Sequence, residues 1–187
     1  LLLMNLLKNC PINMKQQLFF TLLFSLLFFA CEPVKQSVGF TKWSDDGTEY
    51  KFYLGTEASI DVVKAFDAAA QAKTYDDFHE IFADSATLTY QNGQTDTVED
   101  FIKLNLDRDS ILNANNATLK WEPKYALSVD IDPTRGGEHV NMMYLGTYND
   151  GNEESQFNAN LWFFVQEGKI ISVNQYNQDI QKEDDSE

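Results

Sequence analysis

The chain has 187 residues with 14 Lys and Arg against 29 Asp and Glu, which gives a formal net charge of −15 at pH 7. A surface this acidic repels phosphate backbones, and no basic stripe interrupts it, so a nucleic-acid partner is not expected. The length suits one domain with a buried core and a short tether.

The first thirty residues predict an export signal. From Met14 the chain reads MKQQLFFTLLFSLLFFAC, in which one lysine precedes a mainly apolar run and a small alanine stands before Cys31. That order is typical of a secretory signal peptide, and the run is too short to span a bilayer as a mature helix. Residues 1–13 are interpreted as translated upstream sequence, so residues 1–30 are assigned to upstream sequence and signal peptide.

The segment LFFAC at residues 27–31 resembles the lipobox of bacterial lipoproteins. The resemblance implies cleavage before Cys31 and a diacylglycerol on its thiol, which would hold the exported protein to a membrane of the bacterial cell envelope. An ordinary signal peptide followed by an incidental cysteine is the alternative. If residues 1–13 are upstream sequence and cleavage falls before Cys31, Cys10 is absent from the mature chain and no internal disulfide is expected.

Residues 31–56 are predicted to form the tether and a small hairpin. The sequence is polar to about Val38, and FTKWSDDGTEYKFYLG then has two aromatic-rich segments around Asp46 and Gly47. An Asp-Gly pair supplies the positive φ that tight hairpin turns need.

Three helices are predicted next. In SIDVVKAFDAAAQAK, residues 59–73, apolar residues recur at intervals of three and four, with Ser59 as the N-cap. TYDDFHEIF, residues 74–82, has Thr74 and Asp77 in capping-box spacing. A third helix, from Thr97 to about residue 109, has the same spacing between Thr97 and Asp100.

The remaining segments predict strands. ATLTY alternates and runs into Asn92-Gly93, and the segments KYALSVDID, HVNMMYLGTY, QFNANLWFFV and KIISVNQYN follow the third helix, with turns between them. Helices first and consecutive strands afterwards favour an α+β fold with a mostly antiparallel, curved sheet. Residues 181–187 form an acidic tail.

Residues 61–93, DVVKAFDAAAQAKTYDDFHEIFADSATLTYQNG, resemble the opening of ketosteroid isomerase and of the wider SnoaL-like, nuclear transport factor 2-like superfamily. LWFFVQEGKIISV resembles the last hairpin of that superfamily. The resemblance implies that residues 57–180 form a cone-shaped roll, in which a strongly curved sheet wraps three N-terminal helices and leaves an apolar pocket. Its lining is expected to include Phe66, Phe82, Tyr90, Phe101, Leu161 and Phe163.

The resemblance also shows where catalytic groups of the isomerase branch would lie. The tyrosine that donates to the substrate oxygen corresponds to Phe66, the general-base aspartate to Tyr90, and the protonated aspartate of the oxyanion hole to Leu161. None of these three side chains supplies the required group. We therefore assign no catalytic residue and favour a protein that is not an enzyme.

Other side chains carry weaker signals. His79 could be a polar group of the pocket, and an isomerase, dehydratase or cyclase that pairs His79 with Tyr90 is the alternative function; a helix-surface histidine is the simpler interpretation. Asp130 and Asp132 point to one side of a strand and Glu138 could approach them, but a polar strand face shows the same pattern. No metal or cofactor is predicted.

The expected function is therefore a lipid-anchored, non-catalytic domain that binds a small apolar ligand or a protein partner. In the strand QFNANLWFFV, Leu161 and Phe163 would face the cone, while Trp162 and Phe164 would lie beside asparagines on the opposite face. An exposed face of this kind suggests a homodimer, although packing against the N-terminal hairpin would explain it equally well.

Overall fold

The computed structural model describes residues 36–42, 45–131 and 136–180. Cys31, Asp132, the predicted signal peptide and the acidic tail lie outside the described residues. No helix within the described ranges is long and apolar enough to cross a membrane.

The elements follow the order that the sequence predicts, and the last four strands come after all of the helices. They are β1 (Gly39–Thr41), β2 (Tyr50–Leu54), α1 (Glu57–Ala72), a 3₁₀ turn (Tyr75–Asp77), α2 (Phe78–Ile81), β3 (Phe82–Tyr90), β4 (Thr95–Thr97), α3 (Val98–Ala114), β5 (Thr118–Asp130), β6 (Glu138–Asn149), β7 (Glu154–Gln166) and β8 (Lys169–Ile180).

Eight strands form one sheet in the order β1-β2-β5-β6-β7-β8-β3-β4. All neighbouring pairs are antiparallel except β3 and β8, which run parallel. The register shifts between Pro123 and Tyr125 and again between Phe164 and Val165, and such bulges bend strands and increase their twist. The helices pack on one side of this curved sheet, so the predicted α+β roll is confirmed.

The helix boundaries differ from the prediction in two places. Helix α1 begins at Glu57 with Thr56 at the N-cap, so the assignment of Ser59 as the cap was wrong. The Thr74 hydroxyl donates to the Asp77 carboxylate at 2.6 Å but caps no backbone N–H, and only a 3₁₀ turn and one short helix follow.

Helix α3 has the predicted capping box. The Thr97 hydroxyl accepts a hydrogen bond from the backbone N–H of Asp100, and the Asp100 carboxylate accepts one from the backbone N–H of Thr97. The helix continues to Ala114, beyond the predicted end near residue 109. The capping box satisfies backbone N–H groups at the start of this 17-residue helix and so stabilises it.

The N-terminal hairpin extends the sheet. Strand β2 pairs with β5 through Tyr53 and Leu54. Next to this pairing, one oxygen of the Glu138 carboxylate accepts hydrogen bonds from the Thr56 backbone N–H at 2.7 Å and from the Ser128 hydroxyl at 2.7 Å. These bonds fix the start of α1 to strands β5 and β6.

The core is centred on the ring of Phe66, on the inner side of α1. Its centroid lies 5.2 Å from that of Phe78, 5.7 Å from that of Phe82, 6.3 Å from that of Phe101 and 5.3 Å from that of Phe163. Aromatic pairs at these separations contribute about 0.5–1.5 kcal/mol each beyond the burial of their area. This group, named here the Phe66 cluster, joins the three helices to β3 and β7.

Candidate ligand-binding site

A cavity of about 140 Å³ lies between α1 and α3, over the inner face of strands β5 to β8. Its wall is more apolar than polar and includes Phe66 and Phe101 of the Phe66 cluster. The lining residues are Phe66, Asp67, Ala70, Gln71, Lys73, Tyr75, Phe101, Asn105, Arg108, Asp109, Leu112, Leu119, Trp121, Tyr144, Leu161 and Gln175.

The sheet side of the cavity depends on a stack of rings. The Trp121 indole meets the ring of Tyr144 edge-on at 5.8 Å and that of Phe157 edge-on at 5.3 Å. Phe157 lies across Gly146 of the neighbouring strand, where an added Cβ would come within 2.1 Å of the ring. Because Gly146 has no side chain, the ring of Phe157 can lie over it and pack against Trp121.

One polar region of the cavity is formed by Asp67 and Tyr144. Tyr144 is 3% exposed, and its hydroxyl contacts the Met142 sulfur at 3.2 Å. Burial raises the pKa of Tyr144, and the nearby carboxylate of Asp67 raises it further. The phenol therefore stays protonated at neutral pH and can donate a hydrogen bond.

The second polar region surrounds Asp109 near the end of α3. Its carboxylate accepts a hydrogen bond from the Tyr75 hydroxyl at 2.8 Å and pairs with Lys73 at 3.2 Å and Arg108 at 3.7 Å. Burial raises the pKa of Asp109, but the Tyr75 hydroxyl and the Lys73 ammonium outweigh that effect and hold it below its usual value. The Arg108 Nε is buried and has no partner among the described residues.

Three of the six side chains expected to line a pocket do so: Phe66, Phe101 and Leu161. Phe82 and Phe163 are buried in the Phe66 cluster and do not reach the cavity.

The polar candidates lie away from the cavity. Tyr90, on β3, is not part of the lining, and its pKa is raised by burial and by Asp96. The His79 side chain is 54% exposed on α2, with Nδ1 3.9 Å from Glu99. No described contact joins His79 to Tyr90, so the structure does not bring the two together.

Sequence patterns did not indicate four residues of the site: Asp67, Trp121, Tyr144 and Arg108. Asp67 directly follows Phe66, and a polar residue there is also expected on the flank of any amphipathic helix. Trp121 lies in the part of β5 that the period-two pattern did not reveal, since the bulge near Pro123 interrupts the alternation. Within the described ranges, no group of three or more His, Cys, Asp or Glu side chains could hold a metal ion.

The fold matches solved structures at low sequence identity. An NTF2-like protein of Burkholderia xenovorans aligns with a TM-score of 0.50 and 14% identity over 67% of this chain and 92% of that one. Bal32a, from a soil-derived mobile gene cassette, gives 0.51 and 15% over 65% and 89%. IdmH of Streptomyces antibioticus, a proposed polyketide cyclase, gives 0.51 and 9% over 64% and 91%.

No protein-family model and no curated protein matches the sequence. The structural matches span most of the other chains, and they show that this protein has the SnoaL-like, NTF2-like fold, as its sequence predicted. At these identities they show the fold alone.

Replacing Asp109 by Asn tests the polar region near the end of α3. We expect a loss of about 1 kcal/mol in the free energy of unfolding at pH 7, because charge-assisted bonds to Tyr75 and Lys73 are weakened. The folded-state pKa of Asp109 lies below its unfolded value, so its contribution is present above about pH 4 and is lost as the pH falls further.

Urea unfolding at pH 7 and pH 3 measures this difference. Asp107→Asn is the matched control, since Asp107 lies two residues before Asp109 and forms an exposed ion pair with Lys103. It should change the stability by less than about 0.5 kcal/mol. A wild-type advantage over Asp109→Asn that is as large at pH 3 as at pH 7 contradicts this account.

Proposed function

We propose that this protein binds a small, mainly apolar ligand in the cavity between α1 and α3, without converting it, while a lipid on Cys31 holds it to a membrane of the cell envelope. The observation that carries the proposal is the aromatic and aliphatic wall formed by Phe66, Phe101, Trp121 and Leu161 around the cavity. Such a wall favours apolar ligands, because binding removes their surface from water.

The volume suits a ligand, or the part of a ligand that enters the cavity, of about the size of one ring. At about 140 Å³ the cavity is smaller than the roughly 300–1,000 Å³ of pockets for drug-sized molecules. It is close to the engineered apolar cavity of about 150 Å³ that takes up benzene.

The side chains of the site favour binding over turnover. Phe66 and Leu161 line the cavity at positions where the isomerase branch has its donors, and neither carries an ionisable group. The Tyr144 phenol has a raised pKa and therefore suits hydrogen bonding better than proton abstraction. His79 is exposed to solvent, so an acid-base pair with Tyr90 has no support.

A larger side chain in the cavity should weaken binding. Ala70 is half-buried in its wall, so Ala70→Leu is expected to weaken the binding of benzyl alcohol at least about tenfold, a cost of ~1.4 kcal/mol. Ala68→Leu changes an exposed position of the same helix and should leave the affinity within about twofold. Calorimetric titration measures both, and equal affinities for the two variants would rule out this cavity as the binding site.

The lipid anchor is tested separately. With Cys31→Ser, we expect the protein to move from the membrane fraction to the soluble fraction of the bacterium that expresses it, because the thiol that would carry the acyl chains is lost. Cys10→Ser is the matched control and should leave the distribution unchanged. Identical distributions for wild type and Cys31→Ser would end the lipoprotein proposal.

We also propose that two copies of the chain pair through the outer face of the sheet. We define the outer face as the three cross-strand rows Tyr125-Met143-Asn160-Tyr176, Leu127-Asn141-Trp162-Asn174 and Val129-His139-Phe164-Ser172. Trp162 is 36% exposed and Tyr176 is 55% exposed. No Asp, Glu, Lys or Arg occurs in these rows, although the chain carries a net charge of −15.

The lack of charge favours a second copy over other partners. Two chains of net charge −15 repel each other, and they can approach with the smallest penalty where neither carries a charge. His139 does not alter this, since burial lowers its pKa and the ring stays neutral at pH 7. Asn141 and Asn160 already hydrogen-bond to each other at 2.6 Å, which lowers the cost of covering them.

Sedimentation of Trp162→Glu tests the pairing. The wild-type protein should be dimeric at micromolar concentration and more so at higher salt, which screens the repulsion between acidic subunits. Trp162→Glu places a charge in the middle row and should give monomers, whereas Tyr148→Glu, at an exposed position near the end of β6 outside the outer face, should stay dimeric. A monomeric wild-type protein at all salt concentrations contradicts the proposal.

A further inference from the structure

We infer that the ligand of the cavity is a small amine, whose ammonium group pairs with Asp67 while its apolar body lies against Phe66, Trp121 and Leu161. This inference rests on the proposed ligand-binding function and adds the charge of the ligand to it. It follows from the distribution of charged groups around the cavity.

Asp67 has no cationic partner in the part of the chain that the structure describes. Its carboxylate is half-buried in the cavity wall, where it lies within hydrogen-bonding reach of the Tyr144 hydroxyl and Gln71 Nε2 lies 3.5 Å from Oδ1, at the limit of a hydrogen bond. That amide already donates to the Trp121 carbonyl oxygen at 2.6 Å. Both of these neighbours are neutral and leave the negative charge of Asp67 unbalanced, so the carboxylate is open to an ammonium group of a ligand.

The two cations of the cavity wall are engaged elsewhere. Lys73 and Arg108 both pair with Asp109, at 3.2 Å and 3.7 Å. An anionic ligand would have to compete with the Asp109 carboxylate for them and would also be repelled by Asp67. The buried Arg108 Nε needs only a neutral hydrogen-bond acceptor, such as a carbonyl or ether oxygen, because Asp109 already balances the charge of the guanidinium.

The aromatic rings of the cavity wall also favour a cationic ligand. Trp121 and Tyr144 line the cavity together with Asp67, and Phe66 and Phe101 complete the wall. The faces of such rings attract an ammonium group, most strongly where water is excluded. The net charge of −15 also raises the local concentration of cations around the protein.

Three probes of one size and different charge test the inference: benzylamine, which is protonated at pH 7, neutral benzyl alcohol, and anionic benzoate. Calorimetric titration should give an affinity for benzylamine at least about tenfold above that for benzyl alcohol, because hydrogen bonds to charged groups are roughly twice as strong as neutral ones. Benzoate should bind most weakly. Equal affinities for the amine and the alcohol, or preference for benzoate, would overturn the inference and leave the binding function standing.

Substitution of the carboxylate locates the effect. Asp67→Asn keeps the shape of the side chain and should reduce the preference for benzylamine over benzyl alcohol to within about twofold. Asp61→Asn, an exposed position of the same helix paired with Lys64, should keep the full preference. An undiminished preference in Asp67→Asn refutes the role of Asp67, and failure of all three probes to bind the wild-type protein refutes the ligand-binding function itself.

Discussion

The arrangement of this protein depends on the packing of one ring, that of Phe66, against rings from every layer of the fold. Phe78 and Phe82 come from the short second helix and the strand after it, Phe101 comes from α3, and Phe163 comes from β7. Because these rings fill the space beneath α1, the three helices are held at fixed positions on the sheet. The cavity lies beside this cluster, in the space between α1 and α3 that its rings leave open.

The same constraint explains why the cavity stays open. On one side of the cavity the Phe66 cluster is close-packed. On the other side Trp121 packs against Phe157, whose ring lies over Gly146 of β6. Neither group of rings can move into the space without losing contacts that contribute to the core. The polar residues are consequently held at separate regions of the wall, with Asp67 beside Tyr144 and Asp109 beside Tyr75.

Much of this fold could be predicted from sequence. Periodicity and turn residues indicated the helices, the Thr97 capping box and the last three strands, since these features depend on local physics. Two predictions failed for specific reasons. The N-cap of α1 is Thr56 and not Ser59, because hydrogen bonds to Glu138 fix the chain at Thr56. The first half of β5 was not predicted, because the bulge near Pro123 interrupts the alternation of its residues. Phe66, Phe101 and Leu161 could be placed in the lining through the family resemblance, whereas Asp67 and Tyr144 are brought together only by the crossing of α1 over β6.

The central claim is that a mainly apolar cavity lies beside the Phe66 cluster and can bind a small ligand. A crystal structure determined under xenon pressure tests it most directly, because xenon enters dry apolar cavities without needing a polar partner. The account predicts a xenon atom in contact with Phe66, Phe101 and Leu161, with their side chains unmoved. Side chains collapsed into that space, with no xenon bound there, would contradict it.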